Sequence, residues 1–126
     1  MLQLKFNAII LNHMVEYNSD KLDAVFYALS DPTRRAMLIT LADRKTCTVS
    51  ELAEPFDMSF AAASKHVKVL EKASLLTRKV DGRKHFCTFS ADRLDEAKNW
   101  MDFYKKYWSE RLDALEALLQ HGENNG

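Results

Sequence analysis

At 126 residues with three Gly and two Pro, the chain has room for one folded domain and little that would interrupt helices within it. Eighteen Lys and Arg balance eighteen Asp and Glu, which argues against a generally basic nucleic-acid coat but leaves a local site open. Cys47 and Cys87 lack the paired spacing of a zinc or disulfide framework, and a reducing cytoplasm is the simplest setting.

Residues 1–19 begin M-L-Q-L-K-F-N-A-I-I-L-N-H-M, an apolar stretch too short to span a bilayer and without the small-residue cleavage site of a leader. An N-terminal extension or extra helix is expected there, with an upstream start before Met14 as the other reading; no membrane partner is expected. From Asp20 the pattern is regular, and residues 20–121 are expected to form the domain. Leu22, Val25, Phe26 and Leu29 share a face at helical spacing, which reads as a core helix. Ser30-Asp31-Pro32 ends it, with Asp31 able to cap the next helix and Pro32 at the first position, where its missing N–H costs nothing. The next helix offers Ala36, Met37, Leu38 and Leu41 for packing. Arg34 and Arg35 lie in its first turn, against the helix dipole; solvent exposure is expected for them, with phosphate contact or a pair with Asp31 as the alternative.

Residues 44–48 read as a polar connector in which T-C-T-V could add a short strand. Residues 49–56 look like a short helix capped by Ser50, and Asp57-Met58 leaves only a tight link to the next. Ser59 is a good N-cap for a helix running from there. Ala63, Val67 and Leu70 fall at i, i+4 and i+7 and should dock on the domain. The other face carries Ala61, Ala62, Ser64, Lys65, His66, Lys68 and Lys72, which are small or basic and can approach a polyanion closely. Two helices so linked make a helix-turn-helix pattern; taken alone, the second also fits a solvated basic face of an all-α core.

After Leu75-Leu76 come T-R-K-V, Asp81-Gly82 and R-K-H-F-C-T-F. Asp-Gly between runs of β-forming residues predicts a hairpin with a type I′ turn. Its tip is basic, with Arg78, Lys79, Arg83, Lys84 and His85. Between Ser59 and His85 there are seven Lys or Arg against two acids, whereas from Ala91 onward there are five against eight, so one end suits phosphate and the other does not. A second capping signal at Ser90 opens residues 91–120, free of Gly and Pro, where one long helix is expected. Leu94, Ala97, Met101, Tyr104, Trp108, Leu112, Leu115 and Leu119 form its apolar seam, widened by Trp100, Phe103, Tyr107 and Leu118. Such a face calls for a second copy of the chain; folding back on its own core is the alternative, and an aromatic cofactor box a distant third. Residues 122–126 are expected to fray.

The runs L-S-D-P-T-R-R-A-M-L, V-S-E-L-A, M-S-F-A-A-A-S-K-H-V-K-V-L-E-K-A-S-L-L and D-G-R-K-H-F-C together resemble the ArsR family of bacterial winged-helix repressors over residues 20–119. The resemblance implies a mainly α fold with a small β-hairpin, a winged helix-turn-helix with a long C-terminal dimerisation helix. It also implies a homodimer that blocks transcription at a palindromic double-stranded DNA operator. The sequence departs from the family's metal sensors. Thr48 and Ser50 stand where those have two cysteines, and the last helix has Asp92, Asp95, Asp102 and Asp113 but no His before His121. Ser74 replaces the usual Gly at the end of the helix-turn-helix unit, and Phe60 a commonly polar residue. No metal and no cofactor is expected.

DNA contact is expected at Ser59, Phe60, Ala61, Ala62, Ser64, Lys65, His66 and Lys68, and on the hairpin at Arg78, Lys79, Arg83 and Lys84. The cations should mostly meet phosphates, while Ser59, Phe60, Ala61 and Ala62 set base preference, Phe60 and the alanine methyls touching thymine methyls. Dimer contact is expected at Leu94, Met101, Tyr104, Trp108, Leu112, Leu115 and Leu119. A winged helix used only as a protein-interaction module is one competing function, and a repressor switched by joining Cys47 to Cys87 is another. No paired carboxylates, nucleophile elbow or Gly-rich phosphate loop suggests an enzyme.

Overall fold

A computed structural model describes residues 19–124; the expected N-terminal extension falls almost wholly outside them. Helix α1 (Ser19–Leu29) and helix α2 (Pro32–Arg44) are joined by a two-residue turn. Asp31 caps α2 as expected, its side chain accepting from the Arg34 N–H at 3.0 Å, with Pro32 at the first position. That bond holds the Asp31 carboxyl below the ordinary carboxylate range. Strand β1 (Thr46–Thr48) leads directly into the short helix α3 (Val49–Ala53).

The cap of α3 is Thr48 rather than Ser50. Its hydroxyl accepts from the Glu51 N–H at 3.1 Å while the Glu51 carboxylate accepts from the Thr48 N–H at 3.2 Å, a reciprocal capping box. Those bonds also keep the Glu51 carboxyl below its ordinary range. The helix stops at Ala53, short of the expected Phe56, because Pro55 has no N–H to continue the ladder. Helix α4 (Phe60–Lys72) starts where expected, Ser59 Oγ accepting from Ala62 N–H at 3.1 Å.

The chain leaves α4 through a tight reversal, with Leu75 N–H bonded to the Leu70 carbonyl at 3.0 Å and Ser74 N–H to that of Glu71 at 2.9 Å. Ser74 has φ 59°, the left-handed conformation that glycine adopts without cost at a helix end. Strands β2 (Leu76–Asp81) and β3 (Lys84–Phe89) then form the hairpin, and β1 pairs on the far side of β3, giving the order β1-β3-β2. Asp81 pairs with Lys84, so the two turn residues are Gly82 and Arg83 rather than Asp81 and Gly82. Of these two turn residues Gly82 alone has positive φ, at +63°, which suits a type II′ turn with Gly first and not the expected type I′.

Helix α5 (Asp92–Asn124) runs 33 residues without a break. Its first bond joins Asp95 N–H to the Ala91 carbonyl, so Ala91 and not the expected Ser90 stands at the cap position. It also continues past the expected end near residue 120, since one Gly at position 122 costs only about 1 kcal/mol of helix propensity. The core gathers Val25 and Ala28 from α1, Met37 and Leu41 from α2, Leu52 from α3 and the α4 stripe, closed by Leu75, Leu76, Cys47 and Cys87.

Candidate nucleic-acid interface

Helix α4 is fixed to the domain by Ala63, Val67 and Leu70, all fully buried. Burying side chains the size of Val67 and Leu70 contributes about 1.5–3 kcal/mol each, so the helix presents its other face from a rigid base. Ser59, Phe60, Ala61, Lys65 and Lys68 are exposed on it, and Ala62, Ser64 and His66 are half-buried. On the hairpin Lys79, Arg83 and Lys84 are exposed. The expected residues therefore form two exposed basic groups, one on the helix and one on the wing.

Arg78 is placed differently from its neighbours. Its side chain is only 16% exposed, with Nε 3.4 Å from Glu71 Oε2 on α4 and Nη1 3.4 Å from His85 Nδ1 on β3. Nε and Nη2 are shielded from water without a hydrogen bond; the Glu71 contact is a charge pair of poor hydrogen-bond geometry. Arg78 thus braces the wing against α4, where the sequence suggested a phosphate ligand.

Arg34 overturns the expectation of solvent exposure. Its side chain turns back across the two-residue turn to the end of α1, donating from Nε to the Ala28 carbonyl at 2.9 Å and from Nη2 to that of Tyr27 at 3.0 Å. Nη1 lies 3.3 Å from His66 Nδ1, so a residue of the candidate interface is tied to the core by one the sequence had set aside. Two signals were available: the last carbonyls of α1 need donors, and the short turn returns the first turn of α2 to them. Arg35 is exposed and donates from Nη1 to the Leu29 carbonyl at 2.8 Å.

Cys47 and Cys87 face each other across β1 and β3, and both are buried. Burial pushes both thiols up, which disfavours the reactive thiolate and suits them to packing. Among the described residues no group of three His, Cys, Asp or Glu is arranged to hold a metal ion, and no helix is long and apolar enough to cross a membrane.

Comparison with known proteins bears on this geometry. Residues 29–79, from the end of α1 to the wing, match a helix-turn-helix domain family. Over 87 residues the chain is 37% identical to YuzN, an uncharacterized HTH-type transcriptional regulator of Bacillus subtilis (strain 168), covering 64% of this chain and 95% of the relative. A solved ArsR family transcriptional regulator superposes with a TM-score of 0.68 at 35% identity, covering 72% of this chain and 93% of that one. The chain belongs to the ArsR family.

It is therefore a DNA-binding transcriptional regulator with the winged helix-turn-helix fold, from a family whose members are generally not enzymes. A second curated relative of this ArsR-family regulator is the transcriptional repressor SdpR of Bacillus subtilis (strain 168), 32% identical over 77 residues, which cover 61% of this chain and 84% of the relative.

Proposed function

We propose that this regulator is a homodimeric repressor that binds a two-fold symmetric operator in the cytoplasm. Its two α4 helices enter successive major grooves and its wings lie along the flanking backbone. The observation that carries the proposal is the α5 seam, which the other described residues leave largely exposed beyond Ala97. Ala97 is 4% exposed, but Met101 is 53% and Leu119 63% exposed. So much contiguous apolar surface on a small domain marks an interface, and self-pairing of one helix face gives a closed dimer. Repression is supported by the kinship with SdpR, which is named as a repressor.

In this reading Lys65, Lys68, Lys79, Arg83 and Lys84 neutralise phosphates. Ser59, Phe60, Ala61, Ala62, Ser64 and His66 lie nearest the base edges, and Arg78 acts from behind the wing. Replacing a phosphate ligand removes one counterion-release event whatever the sequence. Lys65→Ala and Arg83→Ala should each weaken operator and non-operator duplexes alike and make the slope of log affinity against log salt shallower by about one. Unchanged affinity and slope in both variants would remove these residues from the interface.

A further inference from the structure

Arg34 is the buried charged side chain of the described residues, 7% exposed. A buried guanidinium is tolerable only when its N–H groups meet acceptors, and arginine does not escape the cost by losing its proton. Here Nε and Nη2 are spent on the Ala28 and Tyr27 carbonyls, which lie at the negative end of α1. Cζ also lies 5.1 Å from the centroid of the Tyr27 ring. The fork is thereby fixed, and its remaining nitrogen, Nη1, approaches His66 Nδ1 at 3.3 Å.

That contact has one chemical sense. A guanidinium nitrogen donates and does not accept, so Nδ1 must be the acceptor. A neutral imidazole that accepts at Nδ1 carries its proton on Nε2. The two ring nitrogens point in different directions, so Nε2–H is directed away from Arg34. His66 lies one turn beyond Ala62 and beside Lys65, at the half-buried edge of the α4 face.

We propose that Arg34 is a positioning residue for DNA recognition: through Nδ1 it orients His66 and fixes it as an Nε2–H donor toward an acceptor on the duplex, a phosphate oxygen or a purine major-groove edge. This rests on the reading of α4 as the DNA-facing helix. Arg34 itself touches no DNA. The arrangement spares α4 a side chain that would otherwise choose between two tautomers, one of which offers DNA an acceptor instead of a donor.

Two measurements test it. The first is nitrogen-15 NMR of the His66 ring in the free protein, at a pH where the ring is neutral: a bare Nδ1 and a protonated Nε2 are expected, and the opposite tautomer overturns the proposal. The second is operator affinity of the wild type, Arg34→Lys, His66→Gln and the double variant, each checked for fold by circular dichroism. Glutamine places an N–H near the Nε2 position and has nothing at the Nδ1 position for Arg34 to orient. Lysine keeps the buried cation but not the fixed fork. Arg34→Lys should weaken operator binding about tenfold when His66 is present and much less in the His66→Gln background. Equal losses in the two backgrounds would make Arg34 a purely structural residue and overturn the proposal. If Arg34→Lys does not fold, His66→Asn decides, since it keeps an acceptor for Arg34 and loses the outward donor. It should fold and bind as weakly as His66→Ala, and wild-type affinity would overturn the proposal. Wild-type protein that prefers no duplex would instead remove the DNA-facing reading of α4, and the NMR result would still decide the tautomer.

Discussion

Helices α4 and α5 both carry an apolar stripe, and they end in opposite situations. The α4 stripe of Ala63, Val67 and Leu70 is covered wholly by its own chain, whereas among the described residues the cover of the α5 seam falls away after Ala97, and Trp108 is 46% exposed. Length explains the difference. At 1.5 Å per residue the 33 residues of α5 reach about 50 Å, while the 11 residues of α1, against which it packs, reach about 16 Å. Phe26 of α1 meets Trp100 edge-on at 6.0 Å; beyond that point Trp100, Tyr104 and Trp108 contact one another, at 5.0 and 6.0 Å between successive centroids. Periodicity identifies which face of a helix is apolar. The fold shows how much of that face the described residues cover.

The largest effect expected from this contrast is at Trp108. In the proposed dimer Trp108→Asp buries one unpaired carboxylate per protomer, at several kcal/mol each, while the monomer, in which the position is half open to water, should keep its helicity. Sedimentation should find monomers, and an intact dimer would remove the seam from the interface. Next is Leu70, fully buried in α4, where Leu70→Ala should cost about 2–5 kcal/mol of folding stability in denaturant titration. A cost below about 1 kcal/mol would mean that the α4 stripe is not the anchor described. The smallest effect belongs to the end of α4, where Ser74→Gly should relieve a left-handed backbone and raise stability by up to about 1 kcal/mol. A loss of stability there would show that Ser74 contributes something other than conformation.

Much of this was legible locally. Asp31-Pro32, Ser59 and the stripe of α4 are signals contained within one or two turns of helix, and the structure uses each as written. The Thr48 cap was legible too, since Glu51 follows it by three residues, although Ser50 is an equally good capping type. The hairpin turn moved by one residue because strand register, with Asp81 opposite Lys84, decides which two residues lie between the strands. The carbonyl contacts of Arg34 were legible from the short turn, but the more distant contacts of Arg34 and Arg78 could not be placed in this way. Their partners include His66, 32 residues away from Arg34, and Glu71 on a different element from Arg78. A charged residue that a distant contact draws inward has the same local pattern as one that remains in water.

The central claim, that paired copies of the α4 and wing face read DNA together, is tested most directly by selecting duplexes from random sequence with the intact protein. The account predicts an inverted repeat whose half-site centres lie about one helical turn, roughly 10 base pairs, apart. Enrichment of a single unsymmetric half-site, or of nothing, would contradict it.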